Sequence, residues 1–184
     1  EEIDMRRAAI KRAARSGDRS VLEKRARLYR VDFDQQSTQD IKENILLRAD
    51  KIPVALALAQ AAVESGWGTS RFAMKGNALF GQWAWKESAG LKPLQASNHR
   101  AVVRSFPNLF GSVRAYMHNL NTHPSYGDLR RQRARLANKG ERGKGYALAE
   151  NLDRYAEIGI EYVDKLRAII RLNQLDKYAV AMLR

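Results

Sequence analysis

The sequence predicts a mainly α protein of the α+β kind, with one small β-hairpin lobe. Three observations carry this. Apolar residues recur at helical spacing through most of the 184 residues. Only two short runs, Phe80 to Trp85 and Ala101 to Phe106, have strand composition. Between them lies KESAGLKPLQASNHR, whose Gly, Pro, Ser and Asn give it loop chemistry, so the two strands pair as a hairpin with a long tip. A hydrophobic content of 45% and a charged content of 29% are those of a globular chain. The length suits one domain with a substantial core. No apolar run reaches the roughly 18 residues of a membrane span. The absence of cysteine excludes disulfides and thiolate metal sites.

In chain order, residues 1–30 are dense in charge, with an apolar residue every three or four. They read as one or two amphipathic helices broken at Ser16-Gly17, with Asp18 and Ser20 available as caps of the second. Gln35 to Thr38 is a polar break, so 1–36 is expected to be an N-terminal helical extension and 37–184 the main domain. Ser37 or Thr38 caps a helix to about Arg48, with Ile41, Ile45 and Leu46 on one face. After the stretch described next, Ser70 caps a short helix through Lys75. Beyond the hairpin, Val113, Tyr116, Met117 and Leu120 share a helical face. Tyr126 to Leu136 reads as a very basic helix, followed by the loop NKGERGKG. A last helix, from about Glu157 to Asn173, turns Ile158, Val163, Leu166, Ile169 and Ile170 inward.

The chain is organised around Ile52 to Trp85. Pro53 suits the first turn of a helix, because it has no N–H to leave unpaired. Val54 to Val63 is almost uniformly apolar, the mark of a buried helix. Glu64 ends that run and Ser65-Gly66 stops it. A surface carboxylate at a fraying helix end is the ordinary expectation there, but the surroundings point elsewhere. Trp67, Phe72, Phe80, Trp83 and Trp85 follow closely, around a Gly-rich turn. Burial and the negative end of the helix dipole both disfavour the charge and raise the carboxyl pKa, as a general acid near neutral pH requires. Between Lys51 and Gly127 the only acidic residues are Glu64 and Glu87. Any acid chemistry in this region falls to these two.

Charge is uneven. Between Arg100 and Gly145 there are ten Lys/Arg and two acids, most of the net +13. Such a band is either a solvated helix face or an attractor of polyanions, nucleic acid or bacterial cell wall. The aromatic surroundings of an isolated acid favour a glycan, whose ring faces stack on Trp and Tyr, and no nucleic-acid motif is present. No metal site is expected: His99, His118 and His123 have no carboxylate cluster beside them. Ser65 lacks the G-x-S-x-G setting of a nucleophile. Tyr116, Tyr155 and Tyr162 are by position alone core side chains more often than catalytic ones.

AQAAVESGWGTSRFA followed by GNALFGQW resembles the catalytic signature of bacterial peptidoglycan N-acetylglucosaminidases, glycoside hydrolase family 73. SVRAYMHNLNTHPSY and RYAEIGIEYVDKLRAII are similar to the family's downstream helices, so the resemblance covers roughly Ile52 to Ile170. The Asn-Thr-His-Pro run points to its Bax-like branch. The resemblance implies a lysozyme-like, two-lobed domain cleaving the β-1,4 bond after N-acetylglucosamine, with Glu64 as general acid. It implies no metal or organic cofactor, peptidoglycan glycan strands as partner, a monomer, and action in the periplasm or cell envelope. EEIDMRRAAI is no export signal, so an exported protein would be represented here by a mature form or fragment. Trp67, Asn77, Phe80, Trp83, Tyr116 and Tyr155 are the expected substrate-binding residues. Tyr155 is placed as the family's tyrosine opposite the acid, and the Asn77–Phe80–Gly81 turn as the cleft floor.

One departure stands out. The family's second carboxylate falls some thirty to forty residues after the first, and Leu94 to Val102 contains no acid. Glu87 substitutes for it, or the substrate's N-acetyl group serves as nucleophile. Otherwise the protein cleaves without water as lytic transglycosylases do, or it is a non-catalytic wall-binding module.

Overall fold

The computed structural model describes residues 2–93, 101–141 and 144–180. In chain order the helices are α1 (Glu2–Ser16), α2 (Arg19–Tyr29), α3 (Thr38–Arg48), α4 (Val54–Ser65), α5 (Arg71–Gly76), α6 (Leu109–Thr122), α7 (Gly127–Asn138), α8 (Gly145–Leu148) and α9 (Ile160–Leu172). The strands are β1 (Trp83–Ala84), β2 (Gly90–Leu91) and β3 (Val102–Arg104). The chain is therefore mainly α with a small antiparallel sheet, as the sequence predicts. Its packing forms two units: Glu1–Ile52 with His118–Arg142, and Pro53–Met117 with Gly143–Arg184.

In the first unit the helix starts follow local chemistry. The Asp18 carboxylate accepts the Val21 N–H at 3.1 Å and opens α2, and Ser37 Oγ accepts the Asp40 N–H at 3.1 Å and opens α3. Ile10, Leu22, Ala26, Tyr29, Ile41 and Ile45 close one core among α1, α2 and α3. The apolar faces of α1 and α2 find their partner in α3.

The helix ends in this unit are held by arginines. The Arg7 guanidinium donates to the carbonyls of Leu46 and Ala49, both at 2.7 Å, and lies 3.5 Å from the Asp50 carboxylate. Arg48 donates to the carbonyls of Tyr29 and Thr122, the last residues of α2 and α6, both at 3.1 Å. Arg130 reaches the carbonyls of Leu120 at 3.0 Å and His123 at 2.9 Å. Arg133 donates to Asn121 Oδ1 at 2.7 Å and to the carbonyls of Leu47 at 2.9 Å, Arg48 and Lys51 at 3.3 Å, and Asp50 at 3.4 Å. Most of these carbonyls lie in or just past the last turns of α2, α3 and α6, where a cation also meets the negative end of the dipole. Arg130 and Arg133 are only 4% and 2% exposed. Part of the basic band is therefore structural.

In the second unit, α4 packs against α8, α9 and the 3-10 turn Leu175–Val180. Ala55, Leu56, Ala59 and Gln60 are fully buried, while Val54 and Leu58 are exposed, so α4 is not buried all round. Pro53 stands at the N-cap, one residue before the helix. Ser70 caps α5 as expected, accepting the Ala73 N–H at 3.2 Å. The sheet has the order β1-β3-β2, with Trp83 opposite Val103 and Gly90 opposite Arg104. The expected hairpin thus has a third strand: β2 and a 3-10 turn, Glu87–Ala89, occupy the first part of the expected loop. The rest of that loop, 94–100, lies outside the described residues. The sheet belongs to the same unit as α4. The last helix starts at Ile160 rather than near Glu157, because Gly159 takes φ +56° and breaks the preceding turn. Ile158 therefore lies outside α9 and is exposed.

Candidate active site

Glu64 occupies the last turn of α4, half-buried. Four residues earlier on the same face stands Gln60, fully buried. Two polar side chains on one stripe of an apolar helix need polar partners, and tyrosines supply them. The Tyr162 hydroxyl donates to Glu64 Oε1 at 2.8 Å. Gln60 Nε2 donates to the Tyr162 hydroxyl at 3.1 Å, and the Tyr116 hydroxyl donates to Gln60 Oε1 at 2.7 Å. Burial pushes the Glu64 carboxyl above its ordinary value, and the Tyr162 hydrogen bond opposes that rise. Burial and the neighbouring carboxyl push the Tyr162 phenol upward, so it keeps its proton as a donor.

Past α4 the chain turns sharply. Gly66, Trp67 and Gly68 all have positive φ, at 57°, 57° and 82°. For tryptophan this conformation costs on the order of 1–3 kcal/mol and persists only where the surroundings over-determine it. Here they do: Ser65 Oγ accepts the Gly68 N–H at 2.7 Å, the Trp67 N–H reaches the Ala62 carbonyl at 2.9 Å, and the Ser70 N–H returns to the Ser65 carbonyl at 3.0 Å. The turn presents the Trp67 ring 63% exposed.

The NALFG turn is anchored at two points. Asn77, itself at φ 51°, donates its side-chain amide to the Phe106 carbonyl at 2.9 Å, and the Leu79 N–H donates to Ser112 Oγ at 3.1 Å. So held, the turn stacks Phe80 on Tyr116, centroids 3.9 Å apart and rings 9° from parallel. It also brings Gly81 beside the acid: a Cβ at Gly81 would lie 2.9 Å from Glu64 Oε2. With φ +58° as well, the position needs glycine on two counts.

The expected site residues separate accordingly. Glu64 and Gly81 come together. Trp67 and Trp83 expose their rings. Phe80 and Tyr116 are 3% and 0% exposed, and the side-chain amide of Asn77 ties its own turn to the Phe106 carbonyl. Tyr155 donates to the Phe80 carbonyl at 3.1 Å and stacks on Tyr162 at 5.4 Å. The tyrosine hydrogen-bonded to Glu64 is Tyr162. Glu87 is exposed in its 3-10 turn, ion-paired with Lys92, which holds its carboxyl below the ordinary range. Gln60 and Tyr162, which are linked to Glu64 through hydrogen bonds, are not among the expected site residues. The signal was Q-x-x-x-E inside an apolar helix, which demands a shared partner. Among the described residues no group of three or more His, Cys, Asp or Glu could hold a metal ion.

Glu64 thus stands at the end of α4, beside the S-G-W-G turn and Gly81. The chain belongs to the glucosaminidase family, described as mannosyl-glycoprotein endo-beta-N-acetylglucosaminidase, whose model matches residues 44–175. A similar protein is Protein bax of Escherichia coli (strain K12), 35% identical over 158 residues, which are 85% of this chain and 56% of that protein. The chain thus spans little more than half the length of this curated relative. No solved structure matches it. No helix among the described residues is long and apolar enough to cross a membrane.

Proposed function

We propose that the chain hydrolyses the β-1,4 bond after N-acetylglucosamine in peptidoglycan, with Glu64 as general acid and the substrate's own acetamido group as internal nucleophile. The observation that carries this is the setting of Glu64: half-buried, raised by desolvation, and hydrogen-bonded through one oxygen to Tyr162. Glu87, the other acid between Lys51 and Gly127, is exposed and engaged with Lys92. A two-carboxylate mechanism needs the pair flanking the bond. In the proposed course Glu64 protonates the glycosidic oxygen, the acetamido oxygen attacks C1, and the leaving sugar departs as an alcohol. The Glu64 carboxylate then takes a proton from the water that opens the cyclic intermediate at C1, which restores the acid. Trp67 and Trp83 offer exposed rings for stacking on sugar faces. The site of action consistent with this substrate is the periplasm or cell envelope, and a monomer suffices for it.

Digestion of purified peptidoglycan with mass analysis of the fragments tests the reading. New reducing N-acetylglucosamine ends are expected. Anhydro-muramic ends would mean a lytic transglycosylase, and intact sacculi with tight binding a wall-binding module. Glu87→Gln should cost less than about tenfold, whereas loss of a general acid or base costs about 10²–10⁴-fold. De-acetylated glycan should not be cleaved.

A further inference from the structure

We propose that Gln60 is a positioning residue: it turns the Tyr162 hydroxyl proton onto Glu64 Oε1 and so confines the acid's transferable proton to Oε2, the oxygen over Gly81. The proposal rests on Glu64 being the acid and says how that acid is aimed.

The direction of the hydrogen-bond chain follows from what each atom can do. An amide oxygen only accepts, so the Tyr116 phenol must be the donor in its 2.7 Å bond to Gln60 Oε1. Tyr116 is fully buried and stacked flat on Phe80, which fixes where that donor stands. With Oε1 so engaged, Gln60 presents Nε2 to Tyr162 and donates at 3.1 Å. The Tyr162 oxygen, having accepted, sends its own proton onward to Glu64 Oε1 at 2.8 Å. An Oε1 that already accepts a hydrogen bond along this line is the poorer place for the carboxyl proton. The proton then belongs on Oε2, which has no hydrogen-bond partner among the described residues and lies against the glycine that leaves room beside it.

The chain is also matched to the state after transfer. An ionised carboxylate can only accept. With Gln60 turned over, Tyr162 would donate to Gln60 instead, and the new carboxylate would lose its donor. The observed orientation stabilises the charge that appears when Glu64 gives up its proton, with no reorganisation at that moment. Gln60 thus partly offsets the burial of Glu64 through Tyr162. Among the described residues, the group hydrogen-bonded to Glu64, the Tyr162 hydroxyl, carries no charge, and on α9 Arg167 is engaged with Glu150. On α9 Glu161, Asp164, Lys165 and Arg171 are exposed, as are Asp176 and Lys177 in the turn packed on α4.

The test is the pH profile of kcat on solubilised peptidoglycan for Tyr162→Phe, Gln60→Met and Tyr116→Phe, with the Glu64 carboxyl followed in parallel by carbon-13 NMR of the full chain. Tyr162→Phe should move the alkaline limb, and the Glu64 titration, up by about one pH unit, the size expected for one hydrogen bond to a charged group. Gln60→Met should move both in the same direction, and Gln60→Met with Tyr162→Phe no further than Tyr162→Phe alone. Tyr116→Phe keeps the stacked ring and is the variant least disturbing to the fold. It should move the limb upward by a smaller amount from two groups away. A role in packing alone would lower stability and leave limb and titration in place. If Gln60→Met and Tyr116→Phe titrate as the wild type while Tyr162→Phe shifts, the proposal is overturned. Full activity in Glu64→Gln would overturn the assignment of the acid instead.

Discussion

Replacing Arg133 by Met should be among the most damaging single changes in the first unit, although composition alone would class the residue with the surface charges of α7. The side chain is 2% exposed and donates to four main-chain carbonyls and Asn121 Oδ1. The contacts to Arg48, Asp50 and Lys51 are long, at 3.3–3.4 Å; of these bonds, those to Asn121 at 2.7 Å and Leu47 at 2.9 Å carry most of the energy. Each charge-assisted bond contributes about 1.5–3 kcal/mol net. Methionine refills the volume and removes the cost of burying a guanidinium, yet the Leu47 carbonyl and Asn121 Oδ1 lose their short bonds, while the carbonyls of Arg48 and Asp50 keep the Asp50 N–H and the Asn121 amide. The loss should be about 3–5 kcal/mol, a third or more of a typical domain's stability. At about 2–4 °C per kcal/mol for a chain of this size, Tm should fall by about 6–20 °C. Arg133→Lys should recover only part of this, since an ammonium cannot reproduce the planar fork. The assay is urea unfolding followed by far-UV circular dichroism, with the exposed Arg135→Met as control, expected within about 0.5 kcal/mol of wild type. If Arg133→Met and Arg135→Met unfold within about 1 kcal/mol of each other, the arginine does not hold the end of α3.

Three further outcomes follow from the same geometry. Glu64→Gln should lose at least about 10²-fold in turnover while still binding sacculi. Because the folded-state pKa of Glu64 is raised, its contribution to stability is present below its unfolded value and lost as pH rises through the folded one. The Gln variant should therefore gain stability over wild type at neutral and higher pH and not in acid; equal differences at both ends would contradict a buried acid. Gly81→Ala should cost about 1 kcal/mol or more in stability from its positive φ and depress activity further by crowding Oε2, so a folded, fully active Ala variant would show that the oxygen over Gly81 is not the one used. Binding to sacculi should weaken as salt rises, and Arg135→Glu with Lys139→Glu, both exposed, should weaken it in a well-folded protein; salt-independent retention would remove the basic surface from the binding.

What the sequence showed in advance was whatever local chemistry decides. Asp18, Ser37 and Ser70 cap the helices they precede, because a cap is settled within three residues. The end of α4 and the placing of Glu64 there were legible for the same reason. Strand β2 was not: Gly90 and Leu91 have no strand pattern of their own and pair only because Arg104 and Val103 lie alongside. Tyr155 and Tyr162 look equivalent in RYAEIGIEYV, and the break at Gly159 decides which meets the acid. Arg130 and Arg133 could not be told from Arg131 and Arg135 by charge. Their spacing with Leu129 on the buried side of α7 holds the clue, but an arginine turned inward is intelligible only once carbonyls await it.

The arginines at the helix ends make the folded protein look less cationic than its chain. Of the formal +13, Arg130 and Arg133 are withdrawn from the surface, and Arg7 and Arg48 are engaged with main-chain carbonyls. Unfolding gives all four back. An anionic polymer, whether wall teichoate, heparin or nucleic acid, therefore finds more charge on the unfolded chain than on the native one. A ligand that prefers the unfolded state draws the equilibrium toward it. Dense polyanion should consequently lower the melting temperature of this protein even while native molecules bind to it, and the shift should vanish as salt is added.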